Sequence, residues 1–142
     1  ICWDLGLSPK WLGKHTLFKP PFGWVMRALG GLPVDRGNPA GLVDEIVVRA
    51  RTGRPLMLVI APEGTRRGGG RWKSGFYRIA RDADLPVVLG YVDSATHTAG
   101  LGPSITISGD VTADMDRIRD FYADKHGIRP QNFALPRLRE ES

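Results

Sequence analysis

Between Pro21 and Leu29 the apolar residues Phe22, Val25, Met26 and Leu29 fall at i, i+3, i+4 and i+7, the spacing of one helix face, with prolines before and Gly30 and Gly31 after. Leu32 to Val34 is a short strand candidate. Asn38 offers an N-cap and Pro39 suits the first helical position, and Leu42, Val43, Ile46, Val47 and Ala50 then repeat at helical spacing up to Gly53. The apolar run Leu56 to Ala61, introduced by Pro55 and closed by Pro62, is too short for a core helix and reads as a buried strand. Phe76, Ile79, Ala80 and Ala83 mark a third helix. Leu85 to Val92 and, more weakly, Ser104 to Ser108 read as further strands. Thr112 can cap a last helix whose apolar face is Met115, Ile118, Phe121 and Tyr122, with Asp114 and Asp116 favouring its positive N-terminal end.

Strands alternating with helices predict an α/β fold: a single domain whose mostly parallel sheet is flanked by helices on both faces. From Gly127 onward the periodicity fades and charge rises, so residues 1–127 are expected to form the domain and residues 128–142 a tail hugging its surface. The chain has 142 residues, 42% hydrophobic and 25% charged, which suits one globular domain. A chain this long buries roughly 68–70% of its unfolded surface, enough for a core without staples. The lone Cys2 permits no disulfide framework, and with only His15, His97 and His126 besides, no structural metal is expected. Six residues is the longest apolar run, far short of the roughly 20 that span a bilayer. The chain begins at Ile1 with no signal pattern, so residues upstream are expected to be missing.

Charge is divided unevenly. Residues 1–81 hold fourteen Lys and Arg against five Asp and Glu, a net +9, while residues 82–142 hold six against ten, a net −4. Such a field attracts phosphate groups, an anionic membrane or a nucleic acid, and charge alone does not choose among them. The segment APEGTRR, Ala61 to Arg67, directly follows the most apolar strand, where ligands of open α/β sheets bind. Gly64 allows close backbone approach, Thr65 supplies a hydroxyl, and Arg66 a planar fork that matches phosphate bidentately. Glu63 repels phosphate and better serves to hold an arginine or accept from a substrate hydroxyl. On residue types alone a turn with solvated charges is the favoured reading of this loop. In GGLPVDR, Gly30 to Arg36, a short strand delivers Asp35 and Arg36 to its carboxyl end, so two arginines from neighbouring strand ends would make a phosphate clamp. Upstream, KHTLFKPPFGW places Lys14 and Lys19 beside Phe18, Phe22 and Trp24, a mixture that suits either a membrane interface or a core.

GGLPVDR, APEGTRR, WKSGFYRIA and LPVVLGYVD, in this order and spacing, resemble the glycerolipid acyltransferase superfamily, best known for 1-acylglycerol-3-phosphate (lysophosphatidate) acyltransferases. The similarity runs from about Trp11 to Val92 and more loosely to the end. It implies a substrate phosphate site at Arg36, Glu63, Gly64, Thr65 and Arg66, with Lys14 counted among its cations, and an acyl-side or core role for Pro86, Val87 and Val88. Leu89 and Gly90 depart from the proline common after that apolar pair.

The family's catalytic signature, H-x-x-x-x-D, pairs a histidine general base with an orienting aspartate. It is absent from this chain: five residues after His15, His97 and His126 stand Pro20, Gly102 and Gln131. His15 beside Lys14 is expected to be a partly exposed surface residue. Either the block precedes Ile1 or the chain is a degenerate relative, and the non-methionine start favours the first, which leaves this chain inactive as given. The implied reaction is direct acyl transfer from an acyl thioester, acyl-CoA or acyl carrier protein, to a lysophospholipid hydroxyl. No cofactor beyond that co-substrate and no metal is expected. The implied setting is the cytoplasmic face of a membrane, bound peripherally. The alternatives are a catalytically silent phospholipid-binding relative and a basic nucleic-acid-binding module; no nucleic-acid motif supports the latter, and no nucleic-acid partner is expected.

Overall fold

The computed structural model describes residues 9–34, 39–53, 56–64, 70–129 and 132–141. The chain divides into two compact units, Ile1–Ala61 and Pro62–Ser142.

In the first unit, strand β1 (Lys10–Lys14) is followed by a 3-10 turn at His15–Phe18, helix α1 (Gly23–Ala28), strand β2 (Gly31–Val34), helix α2 (Pro39–Arg51) and the short strand β3 (Leu58–Val59). The strands form a parallel sheet in the order β2-β1-β3, with Trp11 opposite Gly31 on one side and Val59 on the other. The fold is therefore α/β with a parallel sheet, as the alternation of elements predicts. Its central strand is the element that periodicity does not reveal: KWLGK is five residues with a lysine at each end. Trp11 secures it by donating its indole N–H to the Leu29 carbonyl at 3.0 Å. Phe18 is buried against three glycines. A Cβ at Gly31 would stand 2.8 Å from the Phe18 ring, and one at Gly23 only 2.0 Å from the Phe18 carbonyl oxygen, so the chain folds over this ring only because both positions lack a side chain. Helix α2 buries Val43, Ile46 and Val47 along one stripe. Asn38, its expected cap, lies outside the described residues.

The second unit contains helix α3 (Gly75–Asp82), strands β4 (Val87–Asp93) and β5 (Thr98–Ile105), helix α4 (Val111–Tyr122) and a closing 3-10 turn at Arg139–Glu141. Here the pairing is antiparallel, between β4 and β5, with Val87 opposite Ile105 and Asp93 opposite Thr98. The strand expected at Ser104–Ser108 starts six residues earlier, because the turn at Ser94–His97 brings the chain straight back. Asp93 closes that turn, accepting from the Ala95 amide at 3.1 Å and the Thr96 hydroxyl at 2.8 Å. The core cluster comprises Tyr77 of α3, Leu89 and Ile105 of the hairpin, and Met115 and Ile118 of α4.

Two further expectations change. Helix α4 is capped by Asp110, whose carboxylate accepts from the Ala113 amide, and not by Thr112. The C-terminal segment does more than hug the surface: Leu138 is 2% exposed and belongs to the core cluster, and the Trp72 amide donates to the Arg137 carbonyl at 2.8 Å. Asp114, read from the sequence as a dipole partner, is only 1% exposed. Its carboxylate accepts from Tyr77 Oη at 2.9 Å, from the Ser108 hydroxyl at 2.9 Å and from the Ser108 and Gly109 amides. Burial by itself would raise this carboxyl, but the hydrogen bonds from Tyr77 and Ser108 outweigh it and hold it below the usual range. The same pair pushes Tyr77 up to about 12, chiefly through burial and then through the bond to Asp114.

Candidate functional site

Parallel pairing decides where the two arginine-bearing segments start. Because β2 and β3 both run parallel to β1, the chain leaves Val34 and Val59 at the same, carboxyl end of the sheet, with β1 between them. At strand spacings of about 4.8 Å those exits stand about 10 Å apart across the sheet. Val34 lies opposite Lys14 and Val59 opposite Trp11, so the β3 exit falls three residues short of the β2 exit along the strands. Lys14 closes the central strand at this end. Asp35 and Arg36 follow β2 directly, and Thr65, Arg66 and Arg67 follow β3 within eight residues; all five lie outside the described residues.

The described part of the loop has its own fixings. Pro62 accepts a hydrogen bond at 2.8 Å from the Lys73 amide, tying the loop to the start of α3. Glu63 and Gly64 are exposed, and Gly64 has φ +64, a left-handed conformation that favours glycine. A Cβ there would meet the Lys73 side chain at 3.6 Å. Lys73 is thus an exposed cation beside the PEG turn, a neighbour that residue types alone do not single out. The segment WKSGFYRIA carries the signal for it, since Lys73 stands two residues before the helix that follows the loop, next to its N-cap Ser74.

At the fourth segment the pleat separates the residues. Val87 is half-buried and packs against the core, while Pro86 and Val88 are exposed. In the first unit the aromatic segment likewise divides: Phe18 is core, whereas Phe22 and Trp24 are 68% and 73% exposed. Leu17 and Leu29 are also exposed, and Lys19 and Arg27 stand among them.

Histidines give no base-and-carboxylate pair of the expected spacing. His15 is exposed. His126 Nδ1 lies 3.9 Å from Asp93 Oδ1, but Asp93 is committed to closing its turn, and the bond from the Thr96 hydroxyl, opposed by burial, leads the interactions that hold its carboxyl low. Among the described residues no group of three His, Cys, Asp or Glu could hold a metal ion, and no helix is long and apolar enough to cross a membrane.

A parallel three-stranded sheet with helices between its strands defines an α/β protein, a class in which ligands bind beyond the carboxyl ends of the strands. The family profile described as Acyltransferase matches residues 3–89, more than half of the sequence, and the chain belongs to that family, in agreement with the resemblance carried by its segments. It is 34% identical over 91 residues to the 1-acyl-sn-glycerol-3-phosphate acyltransferase of Limnanthes alba, covering 61% of this chain and 32% of that protein. It is 37% identical over 91 residues to the enzyme of the same name from Cocos nucifera, covering 61% and 29%. The chain thus spans about a third of the length of these curated relatives. No solved structure matches.

Proposed function

We propose that the intact protein transfers a fatty acyl group from an acyl thioester, acyl-CoA or acyl carrier protein, to the hydroxyl of a lysophospholipid such as 1-acylglycerol-3-phosphate, in phospholipid biosynthesis. The observation that carries this reading is the family match over residues 3–89 together with relatives named for that reaction. The exits of β2 and β3 at one end of the sheet support a phosphate clamp made by Arg36 and Arg66, with Thr65, Gly64 and Lys14 beside it and Glu63 holding an arginine or accepting from the acceptor hydroxyl. Pro86, Val87 and Val88 form the acyl side or the core beneath it. With this reading go a single domain and a mostly parallel sheet covered by helices on both faces, which hides parallel strands from water.

The arginines position the acceptor; they make no bond. A histidine paired with aspartate takes the acceptor's proton, its oxygen attacks the thioester carbonyl, and the thiol leaves. That pair is not among these 142 residues, so the chain as given turns nothing over. No cofactor beyond the co-substrate takes part. The same absence favours one second reading, a catalytically silent phospholipid-binding relative, which a thioester-consumption assay separates from the first. We place the protein peripherally on the cytoplasmic face of a membrane, where anionic headgroups attract its basic half, with the exposed Phe22 and Trp24 entering the interface. Nucleic acid is not a partner in this reading.

Arg66→Ala in the full-length enzyme tests the clamp. Loss of one charged, bidentate phosphate contact is expected to lower acceptor kcat/KM about 100-fold while the melting temperature stays put. Unchanged transfer by that variant would remove Arg66 from the site.

A further inference from the structure

The second unit carries a cleft of about 380 Å³ lined by Arg71, Asp116, Arg119, Arg137, Leu138 and Glu141. Four of its five charged groups lie beyond residue 89, where the family match ends.

The charges are not equivalent. Arg119 is consumed internally: it donates to Glu141, to Asp116 and, at 2.9 Å, to the Pro136 carbonyl. The other Glu141 oxygen accepts from the Leu138 amide. Both carboxylates of the cleft are thereby engaged by hydrogen bonds, and the Asp116–Arg119–Glu141 set, with one positive and two negative charges, forms a floor of net charge −1 beside the buried Leu138. Arg71 and Arg137 are exposed and have no ion-pair partner among the described residues. Backbone geometry holds them together, because the amide next to Arg71, that of Trp72, donates to the carbonyl of Arg137 itself. Against the net −1 of the floor, these two guanidinium groups leave the lining with a net charge of +1, and because neither is tied to a carboxylate among the described residues both planar forks are free to match a phosphate group bidentately. A volume near 380 Å³ also accommodates the carbon skeleton that carries such a group.

We propose that this cleft is a phosphate-binding site, with Arg71 and Arg137 as its two arms and Arg119, locked by Asp116 and Glu141, as its fixed wall. The ligand chemistry is a phosphomonoester, whether a nucleotide phosphate, a lipid headgroup or free phosphate. Segment 71–73 has amides donating to two different partners, Trp72 to Arg137 beside the cleft and Lys73 to Pro62. The proposal does not depend on acyl transfer.

Amide chemical shifts of the 142-residue chain, titrated with inorganic phosphate at constant ionic strength, test it. Saturable shifts at Trp72 and Leu138 are expected, with Kd raised about tenfold or more in Arg71→Gln and in Arg137→Gln. Arg117→Gln, an exposed arginine of α4 outside the cleft, removes the same charge and is expected to leave the titration unchanged. Absence of saturable shifts at those amides, or an equal loss in Arg117→Gln, overturns the proposal. Spectra of each variant without phosphate check that the fold is retained. Competition by adenosine 3′,5′-bisphosphate or by phosphatidate vesicles identifies a nucleotide or a lipid as the source, and binding with neither competing identifies free phosphate.

Discussion

Asp114 sets the terms at the scale of single residues. A carboxylate 1% exposed is tolerated because Tyr77, Ser108 and Gly109 supply donors to both oxygens. Since its folded pKa is lowered from 3.8, its contribution is complete above the unfolded value and is lost as pH falls through the folded one. Tyr77 works in the opposite sense: raised from 10.0 to about 12, it contributes below pH 10 and that contribution is lost as pH rises towards 12. Asp114→Asn is expected to cost about 1.5–3 kcal/mol at pH 7. Denaturant melts across pH should show that deficit shrinking in acid, as the wild-type carboxyl protonates; a deficit constant from pH 7 to 2 would contradict the assignment. From the sequence, Asp114 is one of two acids in a first turn, and helical spacing does not distinguish it from Asp116. Burial singles it out, and burial depends on the packing of α3 and of the loop at Ser108. The same limit explains the cap: Thr112 and Asp110 are both competent N-caps, and the choice is made by where β5 releases the chain.

At the scale of elements, periodicity reveals the long amphipathic segments and misses the short, enclosed ones. Helices α2, α3 and α4 each present an apolar stripe that their spacing announces. Strand β1 has no such pattern, yet it joins β2 to β3 and so sets both of their carboxyl ends at the same end of the sheet. The antiparallel turn of β4 into β5 is equally hidden, because the turn residues Ser94 to His97 contain no glycine or proline and depend on Asp93 to close them. Packing around Phe18 is the element-level condition for that end of the sheet. Gly23→Ala is expected to destabilise the chain by about 2 kcal/mol or more, since its methyl would overlap the Phe18 carbonyl and must displace α1. Chemical denaturation measures this, and a neutral effect would mean that α1 is free to shift.

For the molecule as a whole, the division of charge is the property that binding experiments read. The segments resembling acyltransferases carry the net +9, together with exposed Phe22 and Trp24. Co-sedimentation with vesicles containing anionic lipid is expected to exceed that with zwitterionic vesicles, to weaken as salt rises, and to fall about tenfold in Phe22→Ala/Trp24→Ala. Equal binding to both vesicle types would argue against a charged and aromatic membrane face. The residues of the proposed phosphate site stand out in the sequence as types in order, and Arg36, Thr65 and Arg66 lie outside the described residues. What no string of residue types conveys is how the side chains of Arg36 and Arg66 meet a ligand, because that depends on loops beyond the strand ends.

The most direct measurement is acceptor selectivity. To test the proposed activity, kcat/KM is determined for 1-acylglycerol-3-phosphate and for the phosphate-free monoacylglycerol, in the wild type and in Arg36→Ala of the full-length protein. A clamp on the acceptor's phosphate predicts that the variant loses about 100-fold of the preference for the phosphorylated acceptor, with activity on the other little changed. A preference that survives intact contradicts the account.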